Sequence, residues 1–423
     1  MPERLAIDGG PKVNTEKFPM WPSFCKKSIE AAQKPLKTGR VNYWTGEKGM
    51  QFEAEFAKWC GARFCISTAN GTSALHVALA GQRIGPGDEV ICPSYSFIAS
   101  SFCICQAGGV PVFADVEKAS HTIDPRDVED KITDRTRGII AVHLYGIMSD
   151  MAPLLKIARK HNLVVIEDCA QAHGALYRGK KAGTVGHIGA FSFCQSKHFT
   201  TGGEGGAVVT DDEEVAWRCR SFRDHGYDVK ERLRLLDLEA KLPYIHTMVG
   251  FNYRMTEMQS AIGIHELARM DRWNLPNRRR NAEYLTRNIR DLPEILHLPL
   301  DTAERRNSYW LYPIIVDIER FKGNITELWH AIEAEGVPVG PVLWPQMYKE
   351  VAYREHHGFG RLDYPFKDPN TRPAAVDYRN VHCHNAAWVE ERTFFIPVHP
   401  VYQIKHMRLV VKAIRKVFAA LRK

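Results

Sequence analysis

The sequence predicts an α/β protein, with a large domain around a mostly parallel sheet and a smaller α+β unit behind it. Three observations carry that prediction. Between residues 63 and 210, short runs of β-branched and aromatic residues alternate with stretches of helical periodicity, which is the pattern of βαβ units. Past residue 275 the alternation gives way to a polar helix and a shorter set of mixed elements. The chain has 423 residues and is 44% hydrophobic, enough to bury a core in each of two domains.

A first strand is expected at 64–67 with a helix at 72–79, a second strand at 90–92 with a helix at 97–105, and further strands at 111–116 and 138–142. Short apolar runs bounded by glycine, proline and polar clusters read as buried strands. A helix at 151–160 then leads into an apolar strand at 163–166. An amphipathic helix at 256–270 and a long polar helix at 272–289 carry the chain out of the large domain. The smaller unit is expected to hold a strand at 312–316, a helix at 326–335 and a last helix from 403. The predicted division is therefore 1–275, an N-terminal arm with the large domain, and 276–423, the small domain. Arg278-Arg279-Arg280, inside the polar helix, is expected to be a solvated face. The last helix gathers Met407, Val410, Val411, Ile414, Val417, Phe418 and Leu421 on one side, with Arg408, Lys412, Arg415 and Lys416 elsewhere. Such a stripe is expected to pack on the small domain rather than on a membrane.

Composition excludes several function classes. The N-terminus carries an acid and no apolar signal-like run, and no stretch approaches the roughly 18 apolar residues of a membrane span, so a soluble cytoplasmic protein with no membrane partner is expected. The ten cysteines are scattered without a CxxC pair, which reads as reduced thiols in a reducing compartment. The formal charge of +8 is spread along the chain, so no nucleic-acid partner is expected. Nucleotide fingerprints of the GxxxxGK[ST] and GxGxxG type are absent.

The chemistry-bearing residues fall at the ends of the predicted strands. Lys197 follows Phe191-Ser192-Phe193-Cys194-Gln195-Ser196 and precedes the glycine-rich Thr200-Thr201-Gly202-Gly203-Glu204-Gly205-Gly206. A lysine so placed can condense with an aldehyde as a Schiff base, the arrangement that pyridoxal phosphate (PLP) enzymes need. Asp168 ends an apolar strand 29 positions upstream (197 − 168); a carboxylate there must meet solvent or a partner, and a protonated pyridine nitrogen is a suitable one. Gln171 is placed to donate to a ring oxygen, Ser192 to reach a phosphate, and Phe97 either to stack on a ring or to pack in the core. Asn70-Gly71-Thr72-Ser73 joins a strand to a helix, so its N–H groups suit a phosphate, unless Thr72 or Ser73 is only an N-cap. His143 and His173, near strand ends, are either substrate contacts or interior histidines, and His382-Cys383-His384 reads as structural rather than metal-binding, with no metal expected.

Taken together, Gly71-Thr72, Pro93-Ser94-x-Ser96-Phe97, Asp168-x-x-Gln171, Ser192-Phe193-x-x-x-Lys197, Gly203-Glu204-Gly205-Gly206 and Gly250-Phe251-Asn252-Tyr253-Arg254-Met255 resemble, in order and spacing, the DegT/StrS family of PLP-dependent sugar aminotransferases. The resemblance runs from about residue 5 to the C-terminus. It implies a fold-type I architecture similar to aspartate aminotransferase, with a mixed, mainly parallel sheet in the large domain, and a homodimer with shared active sites. It further implies that Lys197 binds the cofactor covalently, Asp168 and Gln171 hold its ring, Phe97 stacks on it, and Gly71, Thr72 and Ser192 hold its phosphate. Asn252 is implied to reach that phosphate from the other subunit, and Arg254 to meet an incoming carboxylate. The implied reaction moves an amino group from an amino acid, glutamate or glutamine, through pyridoxamine phosphate to a ketone on a sugar, sugar nucleotide or cyclitol. Residues 5–10 and Trp21-Pro22 are similar to the branch acting on cyclitols and amino-shikimate precursors, and the loop 340–345 is expected to help build the acceptor pocket. Sugar dehydratases of the same family, which carry histidine at the lysine position, and a non-catalytic PLP-binding regulator are the alternatives.

Overall fold

The computed structural model describes residues 3–237, 245–341, 345–368 and 377–423. The strands of the described residues are, in chain order, β1 Phe64–Thr68, β2 Glu89–Pro93, β3 Val110–Ala114, β4 Thr136–Val142, β5 Val164–Asp168, β6 Leu176–Tyr177, β7 Lys180–Lys181, β8 Ile188–Ser192, β9 Gly206–Thr210, β10 Ile295–His297, β11 Arg305–Arg306, β12 Leu311–Val316, β13 Gly340–Pro341 and β14 Thr393–Pro397. Seven of them form the main sheet, in the order β1-β9-β8-β5-β4-β2-β3.

This sheet is parallel from β8 through β5, β4 and β2 to β3, while β9 runs antiparallel to both β8 and β1. Two reversals in succession restore direction, so β1 points the same way as β8. The last residues of β1, β2, β4, β5 and β8 therefore share one edge, where open α/β sheets place their ligands. Strands such as β2, β8 and β9 are buried along their whole length, because the crossover helices cover the sheet and leave no polar face to alternate.

The helices follow the sequence pattern closely. Gly71–Gly81 follows β1, Ala99–Gln106 follows β2, and Met151–His161 precedes β5. The segment expected as one amphipathic helix runs Glu257–Leu267, opened by a capping box between Thr256 and Gln259. The polar helix is Leu275–Ile289, with proline in its first turn, where a missing N–H is harmless.

Its basic run corrects the expectation of a solvated face. Leu275, Arg278, Ala282, Leu285 and Ile289 recur at helical spacing and are all buried, so Arg278 sits on the inward stripe. Its Nε donates to Asn274 Oδ1 at 2.8 Å and its Nη1 to the carbonyls of Tyr309 and Trp310 at 3.2 and 3.1 Å. Arg279 donates to the carbonyls of Asn307 and Gly174, each at 3.0 Å, and Arg280 to that of Tyr402 at 2.6 Å. The three guanidiniums thus tie this helix to the segments on either side of it. Burial pulls the Arg278 pKa down to about 9, which leaves it a cation at neutral pH.

The four-stranded sheet β10-β12-β14-β13 is antiparallel. Its core unites Tyr312, Ile314 and Val316 of β12 and Phe394 and Ile396 of β14 with Met407, Val410, Ile414, Val417 and Phe418 of the last helix, Ile404–Leu421. Val411 and Leu421 lie at its rim. Elsewhere Met347, Tyr353, Tyr378 and Val389 pack in the same cluster as residues of β2 and β3. Tyr378 Oη donates to the carbonyl of Pro111 at 2.9 Å on edge strand β3, which occupies an otherwise open edge. No helix of the described residues is long and apolar enough to cross a membrane.

Lys416, on the last helix, is buried against Glu335. Its Nζ lies 2.9 Å from Glu335 Oε2, and the same carboxylate accepts from the backbone N–H groups of Ala6 at 2.9 Å and Val13 at 3.0 Å. One buried acid therefore anchors the N-terminal arm to the small sheet's helices. Because removing the acid takes the counter-charge from a buried cation, which keeps only the Pro11 carbonyl, and the acceptor from two N–H groups, Glu335→Ala is expected to cost about 3 kcal/mol, read as a lowered thermal unfolding midpoint.

Candidate functional site

At the shared strand edge lies a cavity of about 560 Å³, whose wall includes Gly71, Thr72, Phe97, Asp168, Gln171, Ser192 and Lys197. Seven of the nine residues singled out from the sequence thus meet in one place. The chain brings them there from four strand ends: β1 leads to Gly71, β2 to Phe97, β5 ends on Asp168 and β8 on Ser192.

Lys197 sits five residues past β8 on a loop with little freedom. Gln195 N–H donates to Gly203 O at 2.9 Å, Phe193 N–H to Gly205 O at 2.7 Å, and Lys197 N–H to Cys194 O at 3.0 Å. Gly205 has φ of 157° and a Cβ there would lie 2.0 Å from Thr201 Oγ1, so the return of the chain depends on glycine. From the N-terminal arm, Trp21 Nε1 donates to the Lys197 carbonyl at 3.0 Å. The residue as a whole is only 9% exposed. Burial pushes the Lys197 pKa below that of an ordinary lysine, against the opposing pull of Asp168, Cys194 and Glu204.

Asp168 is equally withdrawn from water. Its Oδ2 accepts from Ser100 Oγ at 2.7 Å and its Oδ1 from Ala170 N–H at 3.1 Å. Two bonds leave a carboxylate with acceptor capacity toward the cavity. Gln171 Oε1 accepts from Tyr145 N–H at 2.8 Å, which orients its amide NH₂ as the donor left for a ligand.

Gly71 opens the helix Gly71–Gly81, and Asn70, rather than Thr72 or Ser73, is the N-cap, accepting from Ser73 N–H at 2.8 Å. A Cβ at Gly71 would stand 2.5 Å from Ser192 Cβ, so glycine alone lets this helix start against Ser192. The first-turn N–H groups, the positive end of the helix and a hydroxyl then form an anion cradle. Phe97 is 47% exposed and lines the cavity rather than lying in the buried core. Cradle, acid, aromatic face and buried amine fit PLP in its phosphate, ring nitrogen, ring face and aldehyde respectively.

Two sequence candidates lie outside the cavity. Asn252 is exposed and bridges to Asp224 through the backbone. Arg254 is ion-paired with the fully buried Asp224, so its guanidinium is held there rather than standing free for a substrate carboxylate in this chain's own cavity. Of the acceptor loop, Gly340–Pro341 is strand β13, and residues 342–344 lie outside the described residues. His382 and His384 are exposed on either side of a buried Cys383, so they do not converge. His143 is interior: its Nδ1 accepts from Ser149 N–H at 3.1 Å and its Nε2 donates to Glu167 Oε2 at 2.8 Å. That carboxylate also receives the N–H groups of Gly183, Val185 and Gly186, which accounts for it structurally. His173 is buried among Phe191, Phe193, His198 and Phe199.

Sequence reasoning missed Ser100, one helical turn beyond Ser96, and Trp310. The spacing of Ser96 and Ser100 was the available signal for the first. Trp310 precedes β12 yet lines the cavity, with Lys197 Nζ 4.4 Å from its ring centroid.

Residues 23–415 match the DegT/DnrJ/EryC1/StrS aminotransferase family. The chain belongs to that family. It is similar to GDP-perosamine synthase of Caulobacter vibrioides, 39% identical over 70% of this chain and 76% of the relative. It is also similar to the L-glutamine:scyllo-inosose aminotransferase of Streptomyces griseus, 34% identical over 86% and 90%. Among solved structures it resembles the aminotransferase from Psychrobacter cryohalolentis, with a TM-score of 0.83 and 34% identity over 96% of this chain and all of that one. The DegT-family chain is thus a PLP-dependent aminotransferase with the fold-type I architecture.

Burial holds the His173 pKa down to about 3, with the nearby Lys197 and Arg278 cations adding to the effect. The unfolded chain takes up a proton near the ordinary histidine value and the folded chain does not, so stability is lost as pH falls from about 6.5 toward 3. His173→Phe, in a pocket of phenyl rings, is expected to lose up to about 3 kcal/mol less than the native protein between pH 6.5 and 4. Denaturant unfolding at the two pH values measures the difference.

Proposed function

We propose that this protein transfers the amino group of glutamate or glutamine to a ketone on a sugar, sugar nucleotide or cyclitol. The observation that carries the proposal is the meeting of a buried lysine, a buried carboxylate and an anion cradle in one cavity. The activities for which the relatives are named suggest the substrate class, since one name joins glutamine to an inosose and the other is that of an amino sugar nucleotide synthase.

In this reading Gly71, Thr72 and Ser192 hold the cofactor phosphate, Asp168 faces the ring nitrogen, Gln171 the ring hydroxyl, and Phe97 covers the ring. Bound there, PLP supplies the electron sink that lets the α-carbon of an amino acid lose a proton. Lys197 Nζ accepts that proton, and burial favours the unprotonated amine that the task requires. In the second half of the reaction the same nitrogen returns a proton to the acceptor carbon. Asp168 would face the ring nitrogen, and Ser100 fixes the orientation of its carboxylate. The dehydratase alternative needs histidine in the place of the lysine. The neighbouring His198 does not line the cavity and instead donates to the Ser308 carbonyl at 3.2 Å.

The working unit in this proposal is a homodimer. Asn252 is exposed beside Phe251 and Val249, the latter 85% exposed, an apolar setting that a second subunit would cover while Asn252 reaches its phosphate site. The chain divides near residue 275 in this reading, and the ten free cysteines support a reducing, cytoplasmic setting.

Lys197→Ala is expected to lower transamination by roughly 10³-fold or more, and borohydride treatment is expected to leave a pyridoxyl adduct on the Lys197 peptide of the native protein only. Single turnovers of pyridoxamine phosphate-loaded protein against a panel of ketosugars, sugar nucleotides and inososes identify the acceptor; failure of all of them sinks the proposal. Mixing Lys197→Ala and Asn252→Ala subunits is expected to restore activity that neither variant shows, because one mixed site is then fully native.

A further inference from the structure

Lys197 Nζ lies over an aromatic ring. The indole of Trp310 presents its face to that nitrogen at 4.4 Å from the centroid. The ring is held by its own nitrogen and its backbone by two further bonds. Its Nε1 donates to the Ser196 carbonyl at 2.6 Å, its backbone N–H to the Tyr145 carbonyl at 2.9 Å, and its own carbonyl accepts from Arg278 Nη1 at 3.1 Å. Ser196 adjoins Lys197, so the ring that faces the ammonium is also pinned to the backbone that carries it.

We infer that Trp310 is a positioning residue for Lys197, whose indole face receives the lysine ammonium and releases the neutral amine. This rests on the reading of Lys197 given above. An indole face is the strongest cation holder among aromatic side chains, and the attraction vanishes when the amine loses its charge. Protonated, Nζ is therefore drawn against Trp310 at the cavity wall; deprotonated, it is free to swing toward a carbon acid. Trp310 opposes the release of the proton that burial promotes, and so sets where Lys197 titrates.

The other groups facing Lys197 are Asp168 at the end of β5, Cys194 and Glu204 on the loops after β8, and His173 and His198. The two histidines are held neutral by burial, and Asp168 and Glu204 are present in both native and variant proteins. A change confined to Trp310 is consequently legible in the Lys197 titration.

The test is the pH dependence of Lys197 amidination by methyl acetimidate in the full-length protein freed of cofactor, followed on the Lys197 peptide by mass spectrometry. Trp310→Leu is expected to lower the apparent pKa of Lys197 by about one unit, and Trp310→Phe, which keeps a weaker face but not the Ser196 bond, to restore part of that shift. Should Trp310→Leu fail to fold, incorporation of 5-fluorotryptophan keeps the shape and weakens the face, and a smaller downward shift is expected. Superimposed profiles for the native and the Leu or fluorinated proteins overturn the inference. If borohydride traps the cofactor on Lys197 in those same proteins, the functional reading survives that result; if it traps none on the native Lys197, the reading itself has failed.

Discussion

Keeping one lysine amine out of water, yet within reach of a substrate, is the constraint on which the rest of this structure depends. An ammonium in a low-dielectric cavity is destabilised unless something answers its charge. Here nothing answers it fully. Asp168 is near enough to oppose the downward shift but spends two of its lone pairs on Ser100 and Ala170, and Trp310 offers only a quadrupole. Burial shifts the amine toward its neutral form, the form in which it can take up a proton.

The backbone supplies this environment through the sheet. The β1–β9–β8 reversals return the chain so that the Gly71 helix starts beside Ser192, and the register Ser192↔Gly206 brings the glycine-rich return directly under the lysine loop. Gly206 faces the same demand as Gly71, since a Cβ there would lie 2.3 Å from the Asn70 carbonyl. The cradle and the lysine loop are therefore one packing problem, solved by glycine at both contacts. The N-terminal arm closes it from outside, with Trp21 bonded to the Lys197 carbonyl and stacked on His399 at 5.7 Å.

Most of this was legible in the sequence because it is local. Strands ending in Asp168 and Ser192, and a helix opening at Gly71, are written in runs of five to ten residues whose periodicity survives without tertiary context. What escaped was set by contacts distant in sequence. Arg278 was read as solvated because it is charged, although its spacing from Leu275, Ala282, Leu285 and Ile289 already placed it on the buried stripe; the carbonyls of Tyr309 and Trp310 that make burial tolerable lie some thirty residues on. Trp310 carried no local signal, since an aromatic residue before an apolar strand is ordinarily core. Arg254 looked free because Asp224, its partner, lies 30 residues away.

Arg278 also bears on the site without touching the cavity. It is a fully buried cation whose Nε and Nη1 donate to an amide and two carbonyls, with no carboxylate among its hydrogen-bond partners in the described residues. Uncompensated positive charge behind the lysine loop acts on every titratable group around it. His173, His198 and His399 are each pushed toward the neutral form chiefly by burial, with Arg278 next for His198 and His399 and Lys197 ahead of Arg278 for His173. Three imidazoles that remain neutral add no cation to the lysine's surroundings over the pH range in which it works, and they leave its titration to Asp168, Glu204, Cys194 and the Trp310 face. A carboxylate in Arg278's place would have raised those histidines and reintroduced charge beside Lys197. The same guanidinium bonds the carbonyl of Trp310, so the group that adds to the neutrality of the histidines also fixes the backbone that carries the ring facing the amine.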